Sequence, residues 1–147
     1  MMTKNHHNSV MFSESIDGLD IRPNGIYVDV TFGRGGHTQG ILDQLGDSGQ
    51  VIAFDQDIDA IDFAKSNFND PRLSVIHSNF SKLNNELEGF NLIGKIDGIL
   101  MDLGVSSPQL DHAERGFSFN KDGALDMRMD QTQLLTAAQW LKESSEV

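Results

Sequence analysis

Three glycines follow an apolar, β-branched stretch in the segment "YVDVTFGRGGHT", residues 27–38: Gly33, Gly35 and Gly36. Glycine reaches backbone angles that other residues avoid, and it leaves the amides near the start of a following helix open to a ligand. The pattern predicts a β-strand that ends in a tight turn, with bare backbone facing a ligand. The glycines alone do not identify that ligand.

Four interpretations of this turn stay open on the residues. A phosphate loop would end in Gly-Lys-Ser/Thr, whereas this segment ends Gly36-His37-Thr38, which disfavours an NTPase. A dinucleotide fingerprint would place a third glycine at Thr38, which weakens NAD without excluding it. S-adenosylmethionine is the third candidate, because an acid near the end of the first strand, here Asp29, commonly precedes a Gly-x-Gly turn. The fourth is a tight βα turn without a ligand.

Carboxylates and polar side chains recur at the predicted strand ends. Asp55 ends the second strand, where a carboxylate can accept both ribose hydroxyls of an adenosine. The segment "HSNF" places Asn79 and Phe80 after the third strand, beside the base, although a core position fits Phe80 equally well. Asp102 ends the apolar fourth strand and is followed by the polar "SSPQ" turn. A nucleoside-binding cleft is therefore predicted at one edge of a sheet.

The elements that must position these residues alternate along the chain. Apolar periodicity predicts parallel strands joined by helices, an α/β class with a doubly wound sheet and its ligand beyond the carboxyl ends of the strands. The predicted strands span residues 25–32, 49–57, 72–80 and 95–105, and the predicted helices 37–46 and 58–68, with a covering segment at 81–94. The fourth strand is expected to keep an unpaired apolar edge.

The last third of the sequence has a different pattern. Residues 106–130 show Gly and Pro punctuation without a sustained period, and a loop of this length is usually functional or disordered. Residues 132–147 predict a helix whose inward face carries Leu134, Leu135, Ala138 and Leu141.

Composition limits the function classes. The 147 residues carry a net charge of −11, which argues against a large phosphate-binding surface, because nucleic-acid affinity usually depends on clustered Lys and Arg. The absence of cysteine excludes disulfides and thiolate metal sites. No run approaches the ~18 apolar residues of a membrane span, so we expect a cytoplasmic protein. Histidines 6, 7, 77 and 112 show no metal-binding spacing, and no metal is expected.

Five motifs together resemble one family: "VDVTFGRGGHT", "FDQD", "DGILMDLGVSSPQLD", "ERGFSF" and "LDMRMD". They are similar to the amino-terminal half of the ribosomal RNA small subunit methyltransferase H family, also called MraW or RsmH, bacterial 16S rRNA cytidine N4-methyltransferases. The similarity runs from about His7 to the last residue. It implies a Rossmann-like class I S-adenosylmethionine-dependent methyltransferase fold with its first four strands in the order 3-2-1-4. The fold is expected to be incomplete, without its later strands and inserted helical domain.

The resemblance also implies site residues, a cofactor and a substrate. S-adenosylmethionine would methylate the N4 amine of a cytidine near the decoding centre, in 16S rRNA of an assembling small subunit. His37 and Gln109 enter the site through the resemblance alone, and Asp102 is also our candidate catalytic acceptor for an amine hydrogen. The implied cofactor contacts are Gly35, Gly36, His37, Asp55, Phe80, Asp102 and Gln109.

The resemblance divides the chain into a partial methyltransferase domain at 1–147, a substrate-side loop at 106–130 and the start of a helical insertion at 132–147. In the loop, a base and a phosphate could contact Arg115, Phe117, Phe119 and Arg128, or the apolar residues could pin the loop to the core. Because family chains are about twice as long, we expect weak or no activity from these residues alone. A non-catalytic S-adenosylmethionine-binding fragment is the main alternative, and an NAD-binding oxidoreductase domain is a weaker one.

Overall fold

Four parallel strands form one sheet in the order β3-β2-β1-β4 within residues 11–145, the part of the chain that the computed structural model describes. This confirms the α/β class and the predicted strand order, which matches the first four strands of a Rossmann-like sheet. The strands are β1 (Ile26–Asp29), β2 (Gln50–Asp55), β3 (Leu73–His77) and β4 (Gly98–Leu100). The chain divides after Asp102 into two compact units, and the sheet belongs to the first.

Helices cover the central strands from both sides. Adjacent residues of β1 enter different apolar clusters: Tyr27 packs with Ile41 and Leu42, whereas Val28 packs with Phe54 and Leu87. Alternate side chains of a strand point to opposite faces, so a strand covered on both faces reads as a continuous apolar run. The helices of this unit are α1 (Phe12–Gly18), α2 (Gly36–Gln44), α3 (Ile58–Asn67) and α4 (Leu83–Gly89).

Two features of the first unit differ from the predicted elements. The fourth strand was predicted over 95–105, but β4 comprises three residues, and the apolar residues that follow it, from Met101 to Val105, are exposed. They have no strand partner in the described sheet, in which β4 is the edge strand next to β1. Helix α1 was not predicted, because its seven residues bury Ile16 alone.

The second unit contains α5 (Ser107–Asp111), a 3₁₀ turn at Ala113–Arg115 and α6 (Ala137–Glu143). The prediction of a helix over 132–147 was wrong at its start: Thr136 caps α6, its hydroxyl accepting from the Gln139 amide, so the helix begins at Ala137. The predicted inward face was also wrong, since Leu134 is 89% exposed, Leu141 is 58% exposed and Leu135 is 50% exposed. Among the helices described, none combines the length and apolar character needed to cross a membrane.

Candidate functional site

The predicted glycine turn connects β1 to α2. Beyond β1, the Val30 amide donates to the Leu100 carbonyl (3.0 Å) and the Phe32 amide donates to the Phe54 carbonyl (2.9 Å), so this segment bonds to both neighbouring strands. Gly33 (φ 55°) and Gly35 (φ 74°) then take left-handed angles, which favour glycine. The sequence therefore placed the turn correctly.

The two left-handed glycines serve different purposes. A Cβ on Gly35 would lie 2.4 Å from the Phe68 ring and 2.8 Å from the Phe32 ring, so this glycine is required by packing as well as by its backbone angle. A Cβ on Gly33 would meet only the Thr31 carbonyl oxygen, at 3.9 Å. The space beside the Cα of Gly33 is therefore unfilled, whereas the corresponding face of Gly35 is occupied by the two rings.

Asp29 anchors the turn from beneath. Its fully buried carboxylate accepts hydrogen bonds from the Thr31 amide (3.0 Å) and from the Thr38 hydroxyl on α2 (2.7 Å). Burial raises the pKa of Asp29 above its ordinary value, and the bond from Thr38 opposes that rise. Asp29 thus connects the turn to the first residues of α2. Because its carboxylate is fully buried, it supports the turn and does not face a ligand.

Asp55, at the end of β2, is joined directly to the glycine turn. One carboxylate oxygen accepts from the Gly33 amide (2.8 Å), and the other accepts from the Asp57 amide (2.9 Å). Partial burial raises the pKa of Asp55, while these amide bonds act in the opposite direction. A carboxylate offers about four acceptor sites, so beyond these bonds and the one from the Gln56 amide the group can still accept a hydroxyl donor from a ligand.

Polar side chains also connect the ends of β2 and β3. The Asn79 amide group donates to the Gln56 side-chain oxygen (2.5 Å), and the Asn79 oxygen accepts from the Ser81 amide (2.9 Å). Asn79 thereby caps the 3₁₀ turn Phe80–Lys82. Phe80 is 40% exposed, so it is not the plain core residue that its spacing also allowed.

Asp102 follows β4 by two residues and lies near His37. Its amide donates to the Thr31 hydroxyl (2.8 Å), its carboxylate is 53% exposed, and one carboxylate oxygen lies 3.8 Å from His37 Nδ1. The His37 ring is buried and stacks on Phe12 of α1, with ring centroids 5.8 Å apart. Among the described residues, His37 Nε2 has no hydrogen-bond partner.

Gly36 and His37 are the first two residues of α2. The amides in the first turn of an α-helix lack an intrahelical acceptor. The His37 side chain is buried, so what Gly36 and His37 have in common is a pair of first-turn backbone amides.

Gln109, which the resemblance added to the site, lies in the second unit. Its side chain is buried, and its oxygen accepts from the Ser106 amide (3.0 Å) in a capping box at the start of α5. The residues of the site that the first unit itself brings together are the glycine turn, His37, Asp55 and Asp102.

The two arginines predicted to contact substrate stabilise the second unit internally. Arg115 is buried and donates to the carbonyls of Arg128 and Met129 (3.2 Å each). Arg128 donates two hydrogen bonds to the Asp126 carboxylate, one from Nε (2.8 Å) and one from Nη2 (2.6 Å). Of the two phenylalanines in this loop, Phe119 is fully exposed and Phe117 is half-buried.

Sequence reasoning missed three contributors: Thr31, Gln56 and Phe12. Thr31 carried a signal, because it follows Asp29 by two positions and strand alternation places both on one side. Gln56 and Phe12 carried none that spacing could reveal. His6 and His7, whose spacing was considered for a metal site, lie outside the described residues. Within the described residues, no group of three or more His, Asp or Glu side chains could hold a metal.

The model of the MraW methylase family matches residues 4–147, nearly the whole chain. The chain belongs to the MraW methylase family. This confirms the family that the five motifs predicted. The motifs of the glycine turn, of Asp55 and of Asp102 all fall within the matched span.

Two curated relatives support membership of the MraW methylase family, and both are named ribosomal RNA small subunit methyltransferase H. The protein of Ruthia magnifica subsp. Calyptogena magnifica is 61% identical over 145 residues, which cover 99% of this chain and 47% of the relative. The protein of Vesicomyosocius okutanii subsp. Calyptogena okutanii (strain HA) is 59% identical over the same coverage. The chain thus spans about half the length of the curated relatives it matches.

A crystal structure of a candidate rRNA-methylase from Clostridium thermocellum overlaps part of the fold. It is 21% identical, with a TM-score of 0.48, and the overlap covers 53% of this chain and 45% of that one. This overlap is too partial to add to the family assignment.

Proposed function

We propose that the first unit binds S-adenosylmethionine at the carboxyl ends of its strands, as the cofactor-binding part of an rRNA methyltransferase. The observation that carries the proposal is the bond from the Gly33 amide to the Asp55 carboxylate (2.8 Å). It fixes the carboxylate at the end of β2 beside the glycine turn, and an acid in this position recognises the ribose of an adenosine in nucleotide-binding folds. The names of the two curated relatives support a methyl donor over NAD.

Several of the proposed cofactor contacts have a chemical basis in this chain. Asp55 accepts the ribose hydroxyls, and the first-turn amides of Gly36 and His37 offer donors to polar groups of the ligand. Phe80, exposed beside Asn79, offers an aromatic face to the adenine. Gly35 shapes the turn, and Gln109 is included because the family motif contains it. Asp102 completes the set of proposed contacts.

The substrate that we propose is the exocyclic N4 amine of a cytidine in 16S rRNA of the small ribosomal subunit. S-adenosylmethionine supplies an electrophilic methyl group. The amine lone pair is delocalised into the cytosine ring. The protein must therefore hold the amine nitrogen in line with that methyl group and accept a proton from the amine. We assign that acceptance to the exposed Asp102 carboxylate.

The cofactor proposal is tested by calorimetry with S-adenosylmethionine and, separately, NAD. We expect binding of S-adenosylmethionine and none of NAD, and the reverse result would replace the proposal with a nicotinamide cofactor. Asp55→Asn serves as the site variant. Its matched control is Asp62→Asn, an exposed aspartate on α3.

The substrate proposal is tested by transfer of a tritiated methyl group to small subunits that lack the modification, with enzyme in excess so that slow transfer is detected. Label in N4-methylcytidine would support the proposal, and label on another base would contradict it. Asp102→Asn should slow transfer at saturating cofactor. Full turnover by this variant would place the hydrogen acceptor elsewhere.

A second candidate is a module that binds S-adenosylmethionine without transferring its methyl group. It is favoured by the net charge of −11, which disfavours RNA affinity. We expect weak or no transfer by these residues alone. Robust incorporation of label into rRNA would exclude this second candidate.

A further inference from the structure

Thr31 connects β1 to the Asp102 segment at a point where strand pairing has ended. The paired residues of β1 and β4 end at Asp29 and Leu100, and one more backbone bond follows, from the Val30 amide to the Leu100 carbonyl. At the next step the Thr31 hydroxyl accepts the Asp102 amide, at 2.8 Å. A side chain therefore extends the connection between the two strands into the candidate site.

The Thr31 hydroxyl is itself held by a buried anchor. It lies 3.4 Å from an oxygen of Asp29, to which it donates, and that same oxygen accepts the Thr31 amide at 3.0 Å. The other Asp29 oxygen accepts from Thr38 of α2, at 2.7 Å. Because its proton is directed toward a carboxylate, the hydroxyl oxygen is oriented and polarised to accept from Asp102.

We propose that Thr31 is a positioning residue for the site, acting through Asp102. By fixing the Asp102 amide, it holds the exposed carboxylate at the strand end, where one oxygen lies 3.8 Å from His37 Nδ1. The inference rests on the proposed function insofar as Asp102 contacts cofactor or substrate. The geometric part, that Thr31 fixes the Asp102 backbone, is independent of any ligand.

The geometric part is tested by hydrogen exchange of the Asp102 amide. Thr31→Val keeps the shape of the side chain and removes the hydroxyl, whereas Thr31→Ser keeps the hydroxyl. A neutral hydrogen bond changes an equilibrium by about fivefold, so the Asp102 amide should exchange about fivefold faster in Thr31→Val and at the original rate in Thr31→Ser. The Val51 amide, bonded to the Arg72 carbonyl, is the internal control. Unchanged exchange at Asp102 in Thr31→Val would overturn the inference.

The functional part is tested by a double-mutant cycle read out as affinity for S-adenosylmethionine. Thr31→Val should weaken binding about fivefold in the original chain, Thr31→Ser should restore it, and Thr31→Val should have no effect in an Asp102→Ala background. An equal loss in both backgrounds would show that Thr31 acts on the fold and not through Asp102. Absence of binding by the original chain would instead contradict the proposed function, and the exchange result would still decide the geometric part.

Discussion

Replacement of Gly35 by alanine tests the physical basis of the turn on which the site depends. Gly35 has a φ of 74°, and its added Cβ would lie 2.4 Å from Phe68 and 2.8 Å from Phe32. Those two rings pack edge to face, with centroids 5.3 Å apart, so neither can move without disturbing the other. Gly33→Ala is the matched control, because Gly33 has a φ of 55° and its Cβ would meet only the Thr31 oxygen at 3.9 Å.

The expected magnitudes follow from these two environments. A left-handed angle costs a residue with a Cβ about 1–2 kcal/mol, and the gain from a less flexible unfolded chain is the same for both variants. Only Gly35→Ala also forces a methyl group into packed rings, which costs about 1–3 kcal/mol. We therefore expect Gly35→Ala to lower the free energy of unfolding by about 1–3 kcal/mol more than Gly33→Ala does.

The assay is urea unfolding followed by far-UV circular dichroism, because the first unit contains all four described strands and four of the six described α-helices. Trp140 fluorescence is unsuitable, because that residue belongs to the second unit. Phe68→Leu removes the ring atoms closest to the new methyl group, so Gly35→Ala should cost less in that background. Equal losses for Gly33→Ala and Gly35→Ala, or no recovery with Phe68→Leu, would refute the packing argument.

Three further predictions follow from single side chains. Asp55→Asn should weaken the binding of S-adenosylmethionine about 10- to 100-fold in calorimetry, since hydrogen bonds to charged groups contribute about 1.5–3 kcal/mol. An unchanged affinity would exclude a contact between Asp55 and the ribose. Burial raises the pKa of Asp29 above 3.8, so its contribution to stability is present below that pH and is lost as pH rises through the folded pKa. As pH rises to neutral, the urea midpoint of the original chain should therefore fall more than that of Asp29→Asn, which has no titratable group at this position. Parallel pH profiles of the two proteins would contradict this. Arg128→Lys removes the two-point grip on Asp126 and should speed proteolysis of the second unit, whereas Arg22→Lys, whose side chain is 74% exposed, should not.

The central strands could be predicted because their environment is uniform. Residues of β1 and β2 between Tyr27 and Phe54 are buried on both faces, and burial of that kind leaves a continuous apolar run bounded by turns. The predicted fourth strand was too long because Met101, Leu103 and Val105 have the same apolar character as buried strand residues although they are exposed. Apolarity alone does not reveal whether a strand partner exists.

The positions of candidate site residues could be predicted where they depend on local properties of the sequence. Asp55 and the left-handed glycines follow from strand ends and backbone angles, which are local properties. The contacts of Thr31 with Asp102 and of Asn79 with Gln56 span 71 and 23 positions, so no local pattern contains them. The roles of Arg115 and Arg128 in holding their own unit depend likewise on backbone carbonyls, which spacing does not report.

We propose above that the strand ends of the first unit bind S-adenosylmethionine. The most direct test of this proposal is titration of isotopically labelled protein with the cofactor, monitored through the shifts of assigned backbone amides. We expect the largest shifts on the glycine turn, the start of α2, Asp55, the Asn79–Phe80 segment and Asp102, with β3 and α3 little changed. Saturable binding that leaves the Gly33 and Asp55 amides unshifted would contradict it.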